Sequence, residues 1–313
     1  MREAGDLDRE ETQPSPRRAA AVQVSERSES KLVAVKPRDR LYRRFRRSKT
    51  AMVGMVILAL FLLTAILSPL IAPYNATEIS LAESLQSPSL KHPLGTDELG
   101  RDMLSRLLLG SRLTLLITVG AVMIALVIGT SLGVIAGFRG GWTDIVIMRG
   151  IDMLLAMPTF LLAIAIVAAL GPGTMNVIIA VGVASVSAFA RIAHGAALSV
   201  KEEVYVLSAR SLGARDWHIM LRHMLPNVFP PLLVQTTLRL ATAILTASGL
   251  SFLGLGPQPP TPEWGAMLNS GRTYLTSHPL LTIIPGLAIL FVTIAFNLFG
   301  DGLRDTLDPR LMS

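Results

Sequence analysis

Met153 to Ala190 is an uncharged run longer than one membrane crossing needs, and no other feature narrows the possible folds so far. Hydrocarbon offers no water to backbone N–H and C=O groups, so only helices and closed barrels cross a bilayer. A helix needs about 20 apolar residues to cross a core of about 30 Å. Ala51 to Ile71 and Leu113 to Phe138 are charge-free at that length, as is Leu280 to Phe299, and Pro226 to Leu255 carries Arg239 as its one internal charge. The longest run is broken by Gly171-Pro172-Gly173, which makes it a hairpin of two spans. With 51% hydrophobic and 16% charged residues, the composition is far from that of a soluble domain. The expected fold is an all-α integral membrane protein with six transmembrane helices, near 51-71, 113-138, 153-170, 175-190, 226-255 and 280-299, in a membrane domain covering 51-313.

Basic residues collect on the cytoplasmic side of a membrane protein. Lys31 to Thr50 holds nine Lys or Arg against Asp39 alone, which keeps the N-terminus inside. Segment 191-225 adds Arg191, Lys201, Arg210, Arg215 and Arg222 and faces the same way. The loop from Tyr74 to Ser111 has three basic residues against five acids, and the loop from Gly256 to Pro279 has Arg272 alone, so both lie outside. An even number of spans returns the C-terminus, with Arg304 and Arg310, to the cytoplasm. Residues 1-30 read as a disordered tail and 31-50 as a basic cytoplasmic segment. The net charge of +7 thus serves topology rather than nucleic-acid binding. The place for such a chain is a cell membrane, crossed several times.

Enzyme chemistry finds little foothold. Cysteine is absent, which removes thiolate nucleophiles and cysteine metal sites. His218 and His223 are five apart, off one helical face for a paired metal site, and no HExxH occurs. There is no GxxxxGK[ST] phosphate loop, and the Gly254-Leu255-Gly256 pair sits at the outer end of a span, where a dinucleotide loop has no place. No catalytic residue, metal or resident cofactor is expected in this chain.

One cytoplasmic stretch, VLSARSLGARDWHIMLRHMLPN (Val206 to Asn227), is too polar to cross the bilayer. Val204 to Leu212 reads as a short helix ended by Gly213, a residue suited to the left-handed backbone of a helix terminus. Asp216 stands where an N-cap would, and Trp217, Met220, Leu221, Met224 and Leu225 form an apolar stripe at helical spacing. Pro226 then opens the next span, where its missing N–H is harmless. Two readings fit this elbow: a connector resting at the lipid interface, or a docking element that passes a partner's movement into the bundle.

Ionisable residues at membrane depth face water or the bundle interior. Arg149, Asp152 and Arg239 are nearest that depth. Arg149 and Asp152, three apart, can pair with each other or line a path; Arg239 can meet a cargo carboxylate or a partner subunit. Leu99, Met103, Leu104, Leu107 and Leu108 line one side of an expected external helix, with Arg101, Asp102, Ser105 and Arg106 largely on the other; it either receives an external partner at the membrane surface or only caps the bundle. Gly129, Gly133 and Gly137 form GxxxGxxxG, a pattern that lets helix backbones approach closely. No internal repeat of the kind expected in an autonomous secondary transporter is visible.

The polar stretch resembles the cytoplasmic signature of bacterial ABC importer permeases: EAA, three residues, Gly, nine residues, then I-x-L-P. Leu207-Ser208-Ala209 occupy the EAA positions, Gly213 follows at the right spacing, and His223, Leu225 and Pro226 fill the last block. Leu207 replaces the Glu and His223 the Ile, so a salt bridge from that Glu does not carry over. HPLGTDELGRDMLSRLLLGSR (from His92), LSFLGLGPQPPTPEWGAML (from Leu250) and NLFGDGLRDTLDPR (from Asn297) look like strings of the dipeptide and oligopeptide permeases, in their C-type subunit. The resemblance implies a type I ABC importer permease. It pairs this chain with a B-type permease, two cytoplasmic ATPase subunits that bind ATP and Mg, and an extracytoplasmic peptide-binding protein. It makes Tyr205, Leu207, Ser208, Ala209, Arg210, Gly213, Asp216, Leu225 and Pro226 the surface coupled to the ATPase. Peptides are the implied cargo; nickel chelates or glutathione are alternatives within the same motifs.

Overall fold

The computed structural model describes residues 48–307. The tail and most of the basic segment expected for 1-50, together with Arg310, lie outside the described residues. Regular structure among those described is helical apart from one isolated bridge between Thr96 and Asp102. Five helices are long and apolar enough to cross a membrane, and a bent pair brings the number to six.

Helix α1, Lys49–Ile71, starts where the Ser48 hydroxyl accepts the Ala51 N–H. Its small face, Ala51, Gly54, Ala65 and Ser68, is buried, while Leu60, Ile66 and Leu70 point outward as lipid requires. Helix α2, Met103–Arg139, is capped by Asp102 and merges the expected external helix with the second span in one continuous rod. No helix breaker separates the two segments, so the polar start of the rod continues straight into its apolar part.

The third crossing departs from the expected 153-170. Helix α3, Gly141–Leu155, and helix α4, Thr159–Leu170, meet at a bend of 91°. Pro158 causes the break: it has no N–H to donate and disfavours helical backbone at Met157. Alone, α4 is about 18 Å long, short of a full crossing. The Gly171-Pro172-Gly173 turn ends it, with Gly171 and Gly173 at positive φ and the Asn176 amide donating to the carbonyls of Leu170 and Gly171.

Helix α5, Thr174–Lys201, runs well beyond the expected 175-190, so the polar connection after it is shorter than 191-225. Its later turns stay apolar on one face, where Ala193 and Ala197 are buried, and tertiary packing carries the helix through Arg191 and His194. Helices α6, Val204–Ser211, and α7, Asp216–Ile219, follow. From Asp216 the helix continues through a π-turn, Met220–Met224, into α8, Leu225–Phe252. Helix α9, Trp264–Gly271, precedes the last span, α10, Leu280–Leu307.

Packing follows the small residues. A Cβ on Gly129, Gly133 or Gly137 of α2 would sit within 3.0 Å of α5 atoms, closest at 2.3 Å from the Ala190 carbonyl oxygen. Backbones at such range gain dispersion contact that larger side chains would prevent. One buried cluster joins α2, α4, α5 and α8 around Ile117, Phe138, Phe189 and Leu250. A second joins α1, α8, α9 and α10 around Phe61, Trp264 and Phe296.

The loop before α2 and the first turn of that helix form a polar cap. His92, Asp97, Arg101, Asp102 and Arg106 are all buried. The Arg101 Nε donates to Asp97 Oδ2 at 2.7 Å, Arg106 reaches the same oxygen at 3.3 Å, and His92 Nδ1 lies 2.9 Å from Asp102 Oδ1. Arg106 also donates to the carbonyl oxygens of Ala76 and Pro260, which pins loops far apart in sequence. Arg101, Asp102, Ser105 and Arg106 are therefore inside the cap and not on a solvated helix face.

Candidate functional site

Helices α6 and α7 form a bracket at one end of the bundle. Gly213 joins them at φ +79°, the left-handed region, with its N–H on the Arg210 carbonyl and the Ala214 N–H on the Ala209 carbonyl. Nothing lies within 4 Å of where a Gly213 Cβ would stand, so backbone conformation alone selects glycine here. Asp216 is the first helical residue and Arg215 the N-cap, one position from the sequence expectation.

The bracket is keyed to the core by Val206, Ile219 and Met224, all buried. Ala209 packs against the same cluster, and the Arg210 guanidinium sits 5.7 Å from the centre of the Phe138 ring. The Leu225 N–H donates to the Met220 carbonyl, five residues back, which defines the π-turn. Pro226 lacks the N–H that a regular turn would give to Arg222, and the Asn227 amide donates to the His223 carbonyl at 2.6 Å. The turn inserts one residue into the helical phase. Ile219, Met224, Val228 and Leu232, at spacings of five, four and four, therefore share one buried face. The stripe expected from regular periodicity is rotated: Trp217 is 66% exposed and Leu221 45% exposed. Leu225 and Pro226 lie in a continuous helix, with no elbow at the proline.

What remains outward is an apolar row on a polar surface. Val204, Tyr205, Leu207, Leu212, Trp217 and Leu221 are exposed, with Ser208 and Asp216 at its margins. Tyr205 stacks loosely toward His223, ring centres 6.2 Å apart.

Beside the bracket, α3 and α5 enclose an open recess of about 560 Å³ lined by Asp144, Met148, Arg149, Asp152, Arg191 and His194. Asp152 pairs with Arg191 across the two helices at 2.9 Å, so the local pairing of Arg149 with Asp152 does not form. His194 Nε2 lies 2.9 Å from Asp144 Oδ1, within ion-pair range though poorly aligned for a hydrogen bond. Arg149 has no ion pair among the described residues. Arg239 is near the middle of α8, partly buried, and is not brought to this recess. The Asp152–Arg191 and Asp144–His194 pairs were invisible from local spacing, because they join residues dozens of positions apart.

At the opposite end, Glu263 is buried and caps α9, accepting from the backbone N–H groups of Gly265 and Ala266 and from the Thr114 hydroxyl. Burial pushes its carboxyl up from the ordinary range, and the two N–H donors oppose that shift.

Apolar helices of this length and number are those of an integral membrane protein. Residues 129–313 match the family described as "Binding-protein-dependent transport system inner membrane component", and residues 37–88 match the "N-terminal TM domain of oligopeptide transport permease C". The chain belongs to the binding-protein-dependent transport permease family. It is 43% identical over 285 residues to the dipeptide transport system permease protein DppC of Alkalihalophilus pseudofirmus, covering 91% of this chain and 94% of that protein. Glutathione transport system permease protein GsiD of Pectobacterium atrosepticum is 45% identical over 278 residues, covering 88% and 92%. GsiD of Escherichia coli O157:H7 is 49% identical over 276 residues, covering 88% and 91%. Among solved structures, an inward-facing form of the MetNI methionine ABC transporter matches with a TM-score of 0.53 at 18% identity, over 65% of this chain and 97% of that one. That likeness establishes the type I ABC importer permease fold. The chain is accordingly a multi-pass inner-membrane permease and not itself an enzyme.

Proposed function

We propose that this permease carries di- or oligopeptides inward as one of two permeases in an ATP-driven importer. A B-type permease completes the path, an extracytoplasmic binding protein delivers the cargo, and two cytoplasmic ATPase subunits hold ATP and Mg. The exposed apolar row of α6 and α7 carries this reading: its backbone is locked to the bundle by Val206, Ile219 and Met224, while Tyr205, Leu207, Leu212 and Trp217 are left for a protein partner. The coupling surface comprises Tyr205, Leu207, Ser208, Ala209, Arg210, Gly213 and Asp216, with Leu225 and Pro226 in the rod that transmits the movement. ATP binding supplies the differential contacts that any two-state change needs, through the partner.

The domain plan takes the basic segment, the bracket and both termini as cytoplasmic, and the polar cap and α9 as external. Arg149 and Asp152 border the inner part of the translocation path, and Arg239 its middle. Glutathione import is the second reading, supported by the 49% identity to GsiD. The test is ATP-driven uptake in vesicles containing the whole complex, with labelled dipeptide and glutathione competing. Dipeptide uptake that resists excess glutathione supports the first reading; the reverse supports the second. Uptake that persists without ATP or ATPase subunits overturns both.

A further inference from the structure

We propose that the outer half of the groove between α1 and α2 is a binding site for an anionic phospholipid whose phosphodiester is held by Arg112. The groove encloses about 890 Å³ and is walled by Leu62 and Ile66 of α1 and Leu116 and Val119 of α2. Its rim carries Asn75 and one cation, Arg112, and no acidic side chain lines it.

Three observations choose this occupant. First, Arg112 makes no ion pair or hydrogen bond among the described residues, although acids are plentiful in the neighbouring cap. The acids buried in the cap are already occupied: Asp97 by Arg101 and Arg106, Asp102 by His92 and Ser105. Second, Arg112 immediately precedes the uncharged run Leu113 to Phe138, so its guanidinium stands at the boundary between hydrocarbon and headgroups. Arg112 is exposed there and free to meet a headgroup, and a guanidinium binds phosphate oxygens through two parallel hydrogen bonds. Third, Val119 lies about 10 Å along α2 from Arg112, toward the membrane centre, which is the direction an acyl chain takes from its phosphate. Asn75 accepts from the N–H and hydroxyl of Thr77, and its amide N–H groups remain for a second phosphate oxygen.

A lipid seated here would fill the space between the N-terminal helix and the body of the bundle, against Thr261 and Pro262 of the loop that leads to the buried Glu263. The site rests on the outward orientation of the cap and not on the cargo.

The test uses the intact complex in phosphatidylcholine bilayers doped with phosphatidylglycerol or phosphatidylcholine bearing a diazirine on the acyl chain. Adducts mapped to the peptides containing Leu62–Ile66 and Leu116–Val119 should be several-fold more abundant with the glycerol headgroup. Arg112→Glu should abolish that preference and Arg112→Lys should keep part of it. Equal labelling by the two lipids overturns the proposal, and this comparison on the unmutated complex decides the matter even if Arg112→Glu fails to assemble. A photoreactive residue placed at Leu116 that joins chiefly to the partner permease also overturns it, since the groove is then a subunit interface.

Discussion

Ile219 and Met224 stand five residues apart and share one fully buried face, because the π-turn between them adds a residue to the helical phase. Met224→Ala should lower stability by about 2–5 kcal/mol, the usual range for emptying a buried methionine site. Trp217→Ala, on the opposite face, should leave the thermal midpoint of the purified permease unchanged and reduce ATP-driven uptake. If Trp217→Ala destabilises the permease alone as much as Met224→Ala does, the assignment of faces fails.

Gly213 offers a backbone test free of steric crowding. With open space at its Cβ position, Gly213→Ala should cost about 1 kcal/mol for the left-handed conformation alone. Asn enters that region several-fold more readily than most residues, so Gly213→Asn should retain more coupled uptake than Gly213→Val. Equal loss in both, measured as uptake per ATP hydrolysed, would show that the conformation of the joint is not what matters.

Gly133 and Gly195 make a matched pair for the α2–α5 contact. Gly133→Ala drives a methyl into the Ala190 carbonyl, whereas nothing lies within 4 Å of the Gly195 Cβ position. Expected changes are a loss of about 1–3 kcal/mol for Gly133→Ala from overpacking, and a neutral or slightly stabilising effect for Gly195→Ala in a helix interior. Thermal unfolding of the permease in detergent checks both.

Glu263 should make stability depend on pH. Its folded-state pKa is raised, so the folded protein binds the proton more tightly than the unfolded chain does, and that contribution is lost as pH rises through the folded value. Above the ordinary carboxyl range, the wild-type midpoint should therefore fall with increasing pH relative to Glu263→Gln. A difference between the two that stays constant from acid to neutral pH would mean that this carboxyl does not titrate there.

Arg239 has no ion pair among the described residues and sits near the middle of a span. Arg239→Ala should impair uptake with the complex still assembled, and Arg239→Lys should restore part of it if charge is what the cargo meets. Normal uptake by Arg239→Ala removes it from the path.

The order of the spans, the hairpin at Gly171-Pro172-Gly173 and the joint at Gly213 were legible because each depends on a local property, apolar length or glycine conformation. Pro158 was equally visible in the sequence, yet apolar content alone disguised the right-angle bend it causes. The π-turn could not be seen because regular periodicity assumes a constant phase, and one inserted residue splits the expected stripe, leaving Trp217 and Leu221 exposed while Met224 is buried. In the cap, the burial of His92, Asp97, Arg101 and Arg106 depends on partners that only the folded loop brings together, which residue spacing does not reveal. The Gly95 and Gly100 positions, both at positive φ, were the available hint of a tightly wound segment.

Asp216 and Phe252 belong to one unbroken rod of 37 residues, about 55 Å from tip to tip. Tilting such a rod by about 10° displaces one end by roughly 10 Å relative to the other. Under the proposed function, a push on Trp217 near one tip would reach the Phe252 end through a single continuous helix.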